Sequence, residues 1–172
     1  MARFLRYIFF LLFSLGLTFF THGQVEDVRF EQLTIRQGLT NDQVNFVFQD
    51  HDGFIWIGTL SGLNRYDGYE VKTFYHDAHD TTTLASNTAM WMSYGPDGNM
   101  WVKNYAGISV YNPATESFSY PQHYYDLLQT EPAYITKMVV DQQGTCWFNI
   151  DNRGLIGVDS SDVMMTASDM EE

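Results

Sequence analysis

The chain has 172 residues, 45% of them hydrophobic and 16% aromatic, enough for one domain of ordinary size with a packed core. Its formal net charge is −12, from 9 basic and 21 acidic residues, so it lacks the basic footprint that nucleic acid and anionic lipid both need. The single cysteine, Cys146, excludes an internal disulfide and an all-cysteine metal cluster, and beside Trp147 in an apolar run it reads as a small buried side chain.

In chain order, the first element is a leader. Arg3 and Arg6 give a positive start, and Tyr7 to Phe20 forms an apolar run of 14 residues. As a helix that run spans roughly 21 Å, short of the roughly 30 Å hydrocarbon core. Thr21 and Gly23 place small residues before a cut at Gln24. Residues 1–23 therefore read as a secretory signal peptide, with an uncleaved anchor as the alternative. No later stretch is apolar enough to span a membrane, and the expected location is periplasmic.

Beyond the leader the chain repeats. Trp56, Trp101 and Trp147 fall 45 and 46 residues apart, and Gly53, Gly98 and Gly144 keep the same step. A period near 45 marks a repeat architecture. The first repeat predicts strands over Val44–Gln49, Phe54–Gly58, Leu63–Tyr66 and Glu70–Phe74. The joints Asp52-Gly53, Ser61-Gly62 and Asp67-Gly68 carry tight-hairpin chemistry, because Gly accepts positive φ at no steric cost. The second repeat predicts Asn87–Ser93, Met100–Asn104, Ile108–Tyr111 and Ser117–Tyr120. The third predicts Ile135–Val140, Cys146–Ile150 and Leu155–Val158, with Asp162 to Met165 as a weak fourth strand. Residues 28–160 show no long helical apolar pattern.

Each unit is thus a four-stranded antiparallel meander, and the fold class is all-β: β-propeller blades, an incomplete propeller of about three. The expected organisation is a signal peptide (1–23), an N-terminal strand completing a last blade (24–43), blade 1 (44–86), blade 2 (87–130), a partial blade 3 (131–166) and a tail (167–172). The lone N-terminal strand follows from Phe30, Phe74 and Phe118, spaced 44 residues apart, the latter two in fourth strands. Propellers use about 4–8 blades, so the chain reads either as a fragment of a longer protein or as a unit whose copies close a ring.

The stretches Gln37-Gly38-Leu39-Thr40-Asn41-Asp42-Gln43-Val44, Gln49-Asp50-His51-Asp52-Gly53-Phe54-Ile55-Trp56-Ile57-Gly58-Thr59 and Gly62-Leu63-Asn64-Arg65-Tyr66-Asp67-Gly68 resemble the two-component regulator propeller repeat. The resemblance covers residues 28 to about 159. It weakens in the second repeat, where Gly95-Pro96 stands in place of Asp50-His51, and Lys103-Asn104 and Asn149-Ile150 replace Gly58-Thr59. It implies the periplasmic sensor of a hybrid two-component regulator, followed in the longer protein by further blades, a β-sandwich, a membrane helix and a histidine kinase. It also implies an oligosaccharide ligand, control of polysaccharide utilisation, and a homodimer as the signalling form. This chain itself carries no kinase motif and no output module.

No catalytic residue, metal site or cofactor is assigned, and the ligand-binding residues are left open. Asp50, Asp52 and Gly53 resemble the start of a calcium loop but lack its later carboxylates, so they read as a turn. His76 and His79 lie in a polar inter-blade loop with no third partner. No catalytic elbow, zinc helix or phosphate loop occurs. Tyr75, Trp91, Tyr94, Tyr105, Tyr124, Tyr125, Asn64 and Arg65 have the chemistry to stack on sugars or bind hydroxyls, but hairpin bonding by Asn64 and Arg65 and core packing by Trp91 are the better explanation, and none is assigned to a ligand. The positions that vary between copies, such as His51, Asn64 and Arg65, are where specificity is expected. The alternatives are a propeller lyase or glycoside hydrolase fragment and a non-catalytic interaction scaffold.

Overall fold

The computed structural model describes residues 30–166, within which twelve strands form three four-stranded antiparallel sheets. Blade 1 holds β1 (Val44–Gln49), β2 (Ile55–Thr59), β3 (Gly62–Tyr66) and β4 (Val71–Phe74). Blade 2 holds β5 (Ala89–Tyr94), β6 (Met100–Asn104), β7 (Gly107–Asn112) and β8 (Ser117–Ser119). Blade 3 holds β9 (Ile135–Val140), β10 (Cys146–Ile150), β11 (Gly154–Val158) and β12 (Met164–Thr166). Strands pair in sequence order within each blade, as a meander requires. The expected signal peptide (1–23) and tail (167–172) lie outside the described residues.

At the starts of β2, β4 and β5, which differ from the sequence reading, competing hydrogen bonds explain the difference. Phe54 stays out of β2 because its amide donates to the Asp50 carboxylate at 2.9 Å. Glu70 is held in the preceding turn by Asp67 Oδ1 at 2.7 Å. Asn87 and Thr88 precede β5 because their side chains serve loops, accepting from the His76 amide and donating to the Leu60 carbonyl. The weak fourth strand of blade 3 is real as β12, paired with β11.

Two features were not foreseen. A seven-residue helix, α1 (Gln122–Leu128), follows β8 and buries Tyr125 and Leu128. At two turns it is too short to display a period. A 3-10 turn over Ile35–Gln37 is held by a capping box between Thr34 and Gln37. Phe30, expected in a strand, has no regular structure and is 94% exposed. Its expected partners would be the strands of a closing blade, and no such sheet exists among the described residues.

Opposed residues on paired strands share a face, so Phe48, Trp56, Arg65 and Lys72 point one way, as do Phe46, Gly58, Leu63 and Phe74. This face of blade 1 packs on Met92, Met100, Val102, Tyr111 and Phe118 of blade 2. Trp56, Phe74 and Tyr111 meet at ring separations of 4.8–5.6 Å. The other face of blade 2, with Trp101 and Ile108, packs on Met138, Cys146, Phe148 and Ile156 of blade 3. Burying each large apolar side chain contributes roughly 1.5–3 kcal/mol. Cys146 is fully buried and its thiol is pushed up to about 12 by that burial. The far face of blade 3 is uncovered: Val139 and Leu155 are exposed there, beside Trp147.

Candidate functional site

The turn between the first two strands of each blade is built on one carboxylate. Asp50 Oδ1 accepts from the amides of Asp52 and Phe54 at 3.0 and 2.9 Å, and its Oδ2 accepts from Trp56 Nε1 at 2.7 Å. Gly53 closes the turn at φ 89°, a region that favours glycine. In blade 3 the arrangement recurs. Asp141 accepts from the amides of Gln143 and Thr145 and, at 2.8 Å, from Trp147 Nε1. The bond from Trp147, followed by those of the turn amides, holds the Asp141 carboxyl below the usual range. Both oxygens of each carboxylate are thus occupied by N–H donors, which leaves the apparent calcium-loop start as a turn and tryptophan latch.

At the opposite end of the blade, Asn64 has a different task. It is fully buried, accepts from the Thr40 amide at 2.9 Å, and donates to Thr40 Oγ1 and to the Ile57 carbonyl. Thr59 completes this group by bonding Thr40 at 2.7 Å. In blade 2, Ser109 and Asn104 repeat the device, with Ser109 Oγ accepting from the Ala85 amide at 3.0 Å. Asn64 therefore ties the incoming segment to β3 and does not face a ligand. Its neighbour Arg65 is not a hairpin residue either.

Arg65 reaches across to blade 2. Its guanidinium donates to Tyr111 Oη at 3.0 Å and to Glu116 at 2.9 Å, and it lies 4.7 Å over the Phe54 ring. Lys72 bonds the other Glu116 oxygen. Lys72 first, then Arg65, holds the Glu116 carboxyl below its usual range. Burial raises Tyr111, with Arg65 opposing.

Above this bridge a cleft of about 280 Å³ opens between blades 1 and 2. Its walls include His51, Asp52, Phe54, Arg65, Tyr94 and Asn99. The His51 and Tyr94 rings are stacked at 4.2 Å with 15° between planes, and the His51 amide donates to Tyr94 Oη at 2.8 Å. His51 and Asp52 are exposed, whereas Phe54, Tyr94 and Asn99 are half-buried. Every one of these positions except that of Asp52 changes in both other repeats. His51 becomes Pro96 and Gln142, Phe54 becomes Asn99 and Thr145, and Arg65 becomes Val110 and Gly157.

The eight residues considered from sequence divide sharply. Arg65 and Tyr94 meet in the cleft. Asn64 is structural. Trp91 and Tyr124 pack against the core between blades 2 and 3. Tyr125 is buried, exchanges hydrogen bonds with the Ile108 backbone, and is pushed up to about 12 by burial. Tyr75 and Tyr105 are exposed, after β4 and in the β6–β7 turn, at the end of the sheets away from the cleft. His76 bonds the Leu84 carbonyl, and His79 contributes its amide to Asp77. Phe54 and Asn99 were missed. Their signal was divergence at a repeat position next to the invariant glycine.

Comparison with known proteins agrees with this architecture. The family described as "Two component regulator propeller" matches residues 38–61, the segment from the Asn64-bound tether through the latch to the β2–β3 turn. A histidine kinase P4 of Formosa agariphila is 34% identical over 56 residues, which is 33% of this chain and 4% of that protein. Among solved structures, the extracellular domain of the hybrid two-component system BT3049 of B. thetaiotaomicron superposes with a TM-score of 0.60 at 25% identity, over 79% of this chain. The extracellular domain of BT4673 of the same organism superposes at 0.58 and 21% identity, over 81% of this chain, a likeness of fold. The chain spans 20% of each of those two domains. Among the described residues, no helix is long and apolar enough to cross a membrane. Residues 38–61 thus match the two-component regulator propeller repeat, and the three blades resemble part of the extracellular domain of a hybrid two-component system.

Proposed function

We propose that these blades form part of a periplasmic sensor that recognises an oligosaccharide and, through a kinase in a longer protein, controls polysaccharide utilisation. The cleft between blades 1 and 2 would be a contact site for that ligand. The observation that carries the reading is convergence: His51, Phe54, Arg65 and Asn99, which differ between repeats, line one cleft with Tyr94. Stacked His51 and Tyr94 offer a ring face for the apolar side of a sugar, and Asn99 and Asp52 offer polar groups for hydroxyls. Export by residues 1–23 and signalling as a homodimer complete the proposal.

The cleft spans two blades, so a ligand filling it would favour one spacing of those blades. It can send a signal only to the extent that it binds that arrangement more tightly than the alternative. Catalysis has no comparable support, since Asp50 spends both carboxylate oxygens on N–H donors.

Calorimetry of the whole encoded protein against an oligosaccharide panel tests the reading. Binding without turnover is expected, weakened about tenfold or more by Tyr94→Ala, a loss of at least ~1.4 kcal/mol. Turnover of a bound oligosaccharide would replace the sensor by a lyase or hydrolase. Absence of glycan binding, with a stable protein partner instead, would replace it by a scaffold.

A further inference from the structure

The charge distribution around the cleft selects among glycans. Resting on the sensor reading above, we infer that the cleft between blades 1 and 2 takes neutral oligosaccharides and discriminates against uronate-bearing or sulfated ones.

Among the described residues, Arg65 is the one permanently charged cation lining the cleft, and its charge is already committed. Glu116 holds its guanidinium at 2.9 Å, Tyr111 Oη takes a second N–H, and the Phe54 ring lies beneath it. Lys72 is committed to the same carboxylate. The guanidinium is therefore turned toward blade 2, bracing the cleft floor, and the side chain is only 19% exposed. Protein sites that prefer anions present forked donors toward the ligand. Here the fork is closed by protein acceptors.

The charges nearer the mouth are negative. Asp50 and Asp52 line the cleft, and Asp97 sits two residues before Asn99, whose amide group it accepts at 2.8 Å. Of these, Asp52 and Asp97 are exposed, and the amide of Asp52, not its carboxylate, carries its bond within the turn. Two cations thus stand against four carboxylates around the cleft, counting Glu116, within a chain of net charge −12. A carboxylated or sulfated sugar brought onto the His51–Tyr94 platform meets Asp52, while the described cations beside the cleft, Arg65 and Lys72, are both committed to Glu116. A unit-charge repulsion at contact distance in water-like surroundings lowers affinity by about fivefold. Neutral hydroxyls meet no such term and can donate to the same carboxylate.

The experiment uses the whole encoded protein and oligosaccharide pairs of equal length, galactose-based against galacturonate-based and unsulfated against sulfated. Calorimetry at low salt is expected to show the neutral member binding at least about fivefold more tightly. Raising the ionic strength should narrow that gap, because exposed charges are screened. Asp52→Asn should narrow it too, with the anionic member bound more tightly than by wild type and the neutral member losing a charged acceptor for its hydroxyls. Equal or tighter binding of the anionic member overturns the inference while leaving the sensor reading intact. So does a gap indifferent to both salt and Asp52→Asn. Failure of every oligosaccharide, neutral and anionic, overturns the sensor reading itself.

Discussion

Replacing Asp50 with alanine removes three hydrogen bonds at once, and their surroundings set the cost. The bond from Trp56 Nε1 matters most, because Trp56 is fully buried and its indole N–H then has no acceptor. An orphaned buried donor costs about 1–3 kcal/mol. The Asp52 and Phe54 amides are nearer solvent and turn partly to water, so each adds about 0.5 kcal/mol. Asp50→Ala should therefore lower stability by about 2–4 kcal/mol. Asp50→Asn keeps one carbonyl oxygen, which can serve the indole or the amides but not both, and should cost about half as much. Urea unfolding followed by tryptophan fluorescence and circular dichroism measures both variants. The decisive arm is Trp56→Phe, which removes the indole donor. In that background Asp50→Ala should lose only the turn component, giving a coupling of about 1–3 kcal/mol in the double-mutant cycle. Asp50→Ala within about 0.5 kcal/mol of wild type, or no coupling to Trp56, would refute the latch.

Restoring the repeat consensus in blade 2 should do harm: a Cβ on Gly95 would lie 2.0 Å from Trp101 Nε1, so Gly95→Asp is expected to destabilise by about 1–3 kcal/mol, and an unchanged or raised urea midpoint would contradict the geometry. The Lys72–Glu116–Arg65 bridge should weaken in acid. The folded-state pKa of Glu116 is depressed below the ordinary 4.5, so its contribution is full above that value and is lost as pH falls through the folded value. The stability difference between wild type and Glu116→Gln should therefore shrink from pH 7 toward pH 3, and a difference that is constant or growing in acid would count against the bridge.

Much of the blade was legible because repetition exposes packing. Trp56, Trp101 and Trp147 lie on the second strand of their blades, and the glycines three residues before them close the expected turns. Strand limits erred by one or two residues wherever a side chain competed for the backbone, as Asp67 does for Glu70. Helix α1 was missed because two turns contain too little periodicity to see. Asn64 is the instructive case. It diverges between copies, as a specificity residue would, yet Ser109 performs the same tethering with a different group. Divergence alone cannot separate a changed ligand contact from a changed means to one structural end. The partner across the blade decides, and the partner is invisible until the fold places it.

The two blade junctions show how one repeat yields both a core and a site. Between blades 2 and 3, Val110 stands where Arg65 stood, and Trp101 has swung over Gly95 to meet Tyr124 at 5.4 Å. Its indole N–H is taken by Asp97, two residues beyond the usual acceptor position, at 3.2 Å. Helix α1 supplies Tyr124, which also packs on Phe148. That junction is apolar around its tryptophan. Between blades 1 and 2 the tryptophan stays on Asp50, packed with Phe74 and Tyr111, and Arg65 bridges to Tyr111 and Glu116 beside it. The bridge places a charged pair where the other junction places Val110. Space is left above it for His51 and Tyr94 to stack at the rim. With the latch, not the rim, carrying the blade's stability, the ligand contact proposed at the first junction would leave the fold intact. The rim residues are therefore free to change from copy to copy while the fold persists.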